Sequence, residues 1–108
     1  MNALGMGRIL DGLIKLALKS PLERERDLHS RQRELSAGID ESPNDMTRYV
    51  LRGELYLERR EHELALADFE RAVELAERLD DAKGWNIVEQ VMRDRALYGL
   101  KVARGELR

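Results

Sequence analysis

The sequence predicts an all-α protein, a short helical-hairpin array of about five helices, and three observations carry that prediction. Leu, Ala, Glu and Arg are abundant while proline occurs twice, a balance that suits helices and not strands. Apolar residues recur at spacings of three and four, and no stretch alternates as a strand would. Between the periodic stretches stand two stop-and-restart signals, Ser20-Pro21 and Ser42-Pro43-Asn44-Asp45. At 108 residues the chain is expected to form a single domain, 1–108.

Composition removes several function classes. Charged residues reach 37% but sum to a net charge of −2, so no basic excess points to nucleic acid. The 43% apolar content is too high for a disordered chain. Cysteine is absent, which excludes disulfides and thiolate chemistry and fits a reducing, cytoplasmic setting. The apolar N-terminus lacks a small-residue cleavage site and contains Asp11, so it does not read as a signal peptide. With Arg8, Asp11, Lys15 and Lys19 it is too short and too charged to span a bilayer.

The first helix is expected over residues 1–19, from about Ala3 to Lys19. Met6, Leu10, Leu13 and Ala17 repeat at helical spacing, and Ile9, Ile14, Leu16 and Leu18 widen the apolar face. Gly5, Gly7 and Gly12 weaken it in isolation, so it needs support as core or as a subunit contact. The alternative is a helix lying on a membrane surface, which would make the chain a membrane-associated assembly factor. Its polar stripe is narrow and holds no Trp or Phe, unlike most such helices.

Ser20 as cap, Pro21 at the first helical position and Glu23 three residues after the cap open the second helix, 21–39. It is densely charged, with Leu22, Leu28, Leu35 and Ile39 as a thin apolar seam, and Gly38 is read as its end. Ser42-Pro43-Asn44-Asp45 opens the third, from about Asp45 to Arg59. A turn at Arg60-Glu61 leads into the fourth, from about His62 to Leu79. The last helix, over 81–104, is expected to start near a capping Asp81 and run to about Ala103. Trp85, Val88, Met92, Ala96 and Gly99 give it one apolar row, and Ile87, Val91, Tyr98 and Val102 a second. That is more apolar width than one neighbour needs.

The stretch 46–79 orders its small and large residues as two nested antiparallel helices require. Gly53 lets a partner backbone come close, and Ala65 and Ala72 leave hollows for rings such as Tyr56 and Phe69. Tyr49, Gly53, Tyr56, Ala65, Phe69 and Ala72 together resemble the signature of a tetratricopeptide repeat, a helix–turn–helix of about 34 residues. The Pro-Asn-Asp linker before it resembles the one that separates such repeats. One repeat length earlier, Leu35 stands opposite Phe69 and Gly38 opposite Ala72, so 21–39 resembles a degenerate second helix of a preceding repeat. Arg31 departs from the alanine expected there. The resemblance implies right-handed superhelical stacking, a structural role for the six signature residues, and a concave groove that receives extended peptides or helices.

Carried over from the family, the groove-facing residues are Thr47, Val50, Glu54, Leu57 and Glu58. Val50 and Glu54 stand where chaperone-tail-binding relatives place Lys and Asn, so that clamp is absent and an acidic tail would be repelled. The implied partner is a protein or peptide with apolar and basic side chains. The alternative is a groove filled by the chain's own terminal helix. Excess apolar surface on the first and last helices also points to self-association as a homodimer.

No catalytic constellation is legible, and neither a cofactor nor a metal is expected. His29 and His62 lie on different helices, and their acidic neighbours, Glu25 and Glu58, are what a chain this rich in acids would place there by chance. Gly5-Met6-Gly7 has no preceding strand and no following Lys-Ser/Thr, so it is not a phosphate loop. The expected function is a non-catalytic interaction module, an adaptor, scaffold or assembly factor. A metal or catalytic use of His62 with Glu58 is the rival from another class.

Overall fold

A computed structural model of the chain describes residues 20–79 and 86–107. Among these residues the protein is all-α, with four helices: α1 (Pro21–Glu41), α2 (Met46–Glu58), α3 (His62–Glu77) and α4 (Ile87–Ala103). The helix expected over Ala3–Lys19, in each of its three readings, lies outside the described residues, as do Asp81 and Trp85. No described helix is long and apolar enough to cross a membrane. The chain divides into two compact units, residues 1–30 and 31–108, and α1 runs across the division.

In the first unit the description begins at the cap of α1. The Ser20 hydroxyl accepts the Glu23 backbone N–H at 3.2 Å, which satisfies one of the orphan donors of the first turn. Leu22, one of the seam residues, is exposed along with the charged side chains around it.

In the second unit α1 does not end at Gly38 but continues to Glu41. Gly38 serves close approach instead of termination. Arg48 of α2 lies across it and donates to the Gly38 carbonyl at 3.1 Å, and a Cβ there would sit 2.6 Å from the Arg48 Nε. The helix stops where Pro43 has no N–H to offer and disfavours helical geometry in the residue before it. Asp45 then caps α2, accepting from the Thr47 N–H at 3.0 Å.

The turn between α2 and α3 falls at Arg60, which adopts the left-handed conformation with φ 58°. Its N–H donates to the Leu57 carbonyl at 3.0 Å, and the Glu61 N–H reaches back to Tyr56 at 2.9 Å. These are the two bonds of a Schellman ending, and they offset the roughly 1–2 kcal/mol that a side chain costs in that region. The last helix departs from expectation at its start. Asn86 is extended and caps it, accepting the Glu89 N–H at 2.8 Å, while Glu89 accepts the Asn86 N–H at 3.2 Å. This reciprocal pair makes Asn86 a boundary, and α4 begins at Ile87.

The core gathers around Phe69, which is fully buried. A Cβ on Gly53 of α2 would meet its ring at 2.9 Å, and one on Gly99 of α4 would meet it at 2.4 Å. Two helices therefore approach the end of the ring to a distance that only glycine permits. Ala65, Ala72 and Ala96 are fully buried around it, and Tyr49 and Tyr56 complete the cluster with Val50, Leu75 and Ala76. From α4 the core receives Met92, Ala96, Gly99, Leu100 and Ala103, whereas Val88 of the expected inner row is exposed.

A polar layer crosses this core. Arg52 of α2 grips buried Asp68 of α3 through two hydrogen bonds of 2.8 and 2.7 Å and donates to Ser36 of α1 at 3.1 Å. Its guanidinium also lies 5.9 Å from the Tyr49 ring and 5.8 Å from that of Tyr56. The hydrogen bond that Arg52 donates to Asp68 raises the Arg52 pKa against the opposing effect of burial. A raised folded-state pKa contributes fully at lower pH, so this contribution is lost only in strong alkali. Asp68→Asn strands the Arg52 charge and is expected to cost about 3–5 kcal/mol in urea unfolding. Arg52→Met combined with Asp68→Leu should recover most of that loss, because no charge is left unpaired.

Candidate docking cleft

The second unit carries an open cleft of about 710 Å³ between α2 and α4. The α2 wall is Glu54, Leu57 and Glu58, one turn apart along a single helix face. The α4 wall is Val91, Tyr98 and Val102, with Asp94 and Arg95 at mid-length. Gly99 forms part of the floor, backed by the Phe69 ring, and Leu107 closes one end. A second hollow of about 440 Å³ adjoins it across Glu54 and Glu58, bounded on the α1 side by Arg31, Glu34 and Leu35.

The cleft is apolar with charged edges. Arg95 bridges it, donating through Nε to Glu54 at 2.9 Å and through a terminal nitrogen to the other Glu54 oxygen. That fork raises the Arg95 pKa, chiefly through the hydrogen bond to Glu54. Glu58 is exposed, and no ion pair joins it to another described residue. Asp94 is 77% exposed and lies 3.9 Å from the neighbouring Arg93. With Glu54 and Arg95 cancelling and Asp94 beside Arg93, Glu58 leaves its edge of the cleft acidic.

Of the groove residues expected from sequence, Glu54, Leu57 and Glu58 share this cleft. Val50 does not: it is 0% exposed and belongs to the core. It is a member of the same buried cluster as Phe69 and the core alanines, closed to a partner. Thr47 sits in the first turn of α2, its N–H bound to Asp45, away from the cleft lining. The terminal helix α4 walls the groove without filling it. The α4 wall was only half legible: its second apolar row was visible, but nothing in the sequence joined Arg95 to Glu54, 41 residues away.

His29 and His62 are exposed on α1 and α3, and no group of three metal-ligating side chains occurs among the described residues. Fold and cleft define a small all-α protein with an open amphipathic trough. Comparison with protein-family models, with curated proteins and with solved structures finds no match for this chain. The Arg95–Glu54 pair is partly exposed, 41% and 33% by side chain, so solvent screens it. Arg95→Ala is expected to change stability by less than about 1 kcal/mol in a thermal or urea melt, in contrast to the buried pair.

Proposed function

We propose that this chain is a non-catalytic protein–protein interaction module, built as a short tetratricopeptide-like array that docks a partner in the α2–α4 cleft. In this reading α2 and α3 are one repeat, α1 is the degenerate second helix of a preceding one, and α4 closes the stack with right-handed superhelical geometry. The burial of Tyr49, Gly53, Tyr56, Ala65, Phe69 and Ala72 in one core supports it, since these are the positions that the repeat uses for packing.

The observation that carries the docking role is the cleft itself. Leu57, Val91, Tyr98 and Val102 form an apolar surface that remains open to solvent, edged by the acids Glu58 and Asp94. A partner helix or peptide with apolar anchors and flanking Lys or Arg complements both features. The apolar anchors supply affinity, while the edge acids set orientation and reject acidic competitors.

The test uses two labelled helical peptides of amphipathic spacing, one of leucine and lysine and one of leucine and glutamate, followed by fluorescence anisotropy at low salt. The lysine peptide is expected to bind and the glutamate peptide not to. Glu58→Lys should weaken lysine-peptide binding by about tenfold while leaving the melt unchanged. Equal binding of both peptides, or indifference to Glu58→Lys, would contradict the docking role.

A further inference from the structure

The outer face of α4 is apolar along its length, and its two ends mirror each other. Ile87, Val91, Asp94, Arg95, Tyr98 and Val102 fall within an arc of about 100° on a helix of 3.6 residues per turn. The opposite side, with Met92, Ala96 and Leu100, is the one committed to the core. Within the outer stripe Ile87 is 76% exposed, Tyr98 62% and Val91 46%. An exposed apolar stripe of this kind is the type of feature that marks interaction sites.

Counted outward from the point between Asp94 and Arg95, the stripe is symmetric in spacing and complementary in character. Asp94 and Arg95 are the first pair, of opposite charge. Val91 and Tyr98 are the next, a small apolar side chain and a ring. Ile87 and Val102 are the third, both β-branched. We propose that a second copy of the chain occupies this face, with α4 antiparallel on α4 about a twofold axis passing between Asp94 and Arg95. This rests on reading the cleft as a docking surface, and it names the occupant: a helix that is itself apolar with a central arginine.

The charges decide the direction of pairing. Antiparallel, Asp94 meets Arg95 of the second copy twice over, Val91 packs on Tyr98, and Ile87 packs on Val102. Parallel pairing about a twofold axis would set Asp94 against Asp94 and Arg95 against Arg95, which is repulsive at the centre. Asp94, 3.9 Å from Arg93 on its own helix, keeps its side chain 77% exposed for this pairing, and Arg95 keeps its side chain 41% exposed while holding Glu54. A single helix pair with the cleft walls beside it lies at the small end of specific interfaces, below about 800 Å² per partner. Monomer and dimer therefore exchange, and association rises with concentration.

The experiment is light scattering on the full chain across micromolar to millimolar concentration, with circular dichroism and a melt to verify that each variant is folded. The wild type is expected to pass from monomer to dimer. Asp94→Arg and Arg95→Asp each place like charges at the axis and should weaken association by about tenfold or more, and an equimolar mixture of the two should associate again. Because the chain contains no cysteine, Val91→Cys mixed with Tyr98→Cys should form a disulfide-linked pair on mild oxidation. Val91→Cys alone should not, since two copies of that position lie too far apart to bridge. A wild type that stays monomeric, or a dimer in which Val91→Cys links to itself, overturns the proposal. A monomer that still binds the lysine peptide through Glu58 defeats the second copy alone and leaves the docking cleft standing. A monomer that binds neither defeats both.

Discussion

A phenylalanine ring that meets a glycine on each of two neighbouring helices is the constraint on which the rest of the second unit depends. Phe69 is on the middle helix, α3, and touches Gly53 on one neighbour and Gly99 on the other. A methyl group at either glycine would need the ring to move, and a fully buried ring has nowhere to go. That one ring therefore limits how closely α2 and α4 can each approach α3. The cleft inherits its floor from the same contact, because Gly99 faces the trough with Phe69 directly beneath it.

Two arginine–carboxylate forks sit on this frame, and their surroundings give them different work. Arg52 and Asp68 are enclosed, and the arginine reaches a third helix through Ser36, so the pair fixes register among α1, α2 and α3. Arg95 and Glu54 have the same geometry at the surface, where water screens the attraction. That pair contributes little to stability and much to the character of the cleft, since it neutralises the centre and leaves the acids at the edges.

Much of the architecture was legible because it is local. Proline and capping residues marked the starts of α1 and α2, and the three-four spacing of Ala65, Phe69 and Ala72 marked the face of α3 that is buried. One boundary was misread because a glycine has a local meaning that a distant residue can override: Gly38 reads as a helix end until Arg48, ten residues on, lies across it. At the start of α4, Asn86 followed by Glu89 carried a reciprocal capping signature that the apolar spacing did not bring out. The site was less legible than the fold. Family spacing assigned Val50 to the groove, but burial depends on what packs opposite, and α4 and α3 complete the core there. The α4 wall, with Arg95 and Tyr98, comes from a helix far along the chain, and its surplus apolar row was the one sequence signal that it faced something more than its neighbours.

The most direct test is nuclear Overhauser spectroscopy on the folded chain, which is simplified by Phe69 being the single phenylalanine. Its ring protons are expected to show cross-peaks to the α-protons of both Gly53 and Gly99, with those glycine resonances displaced by the ring current. A ring with averaged shifts, or one that contacts a single glycine and not the other, would contradict the account.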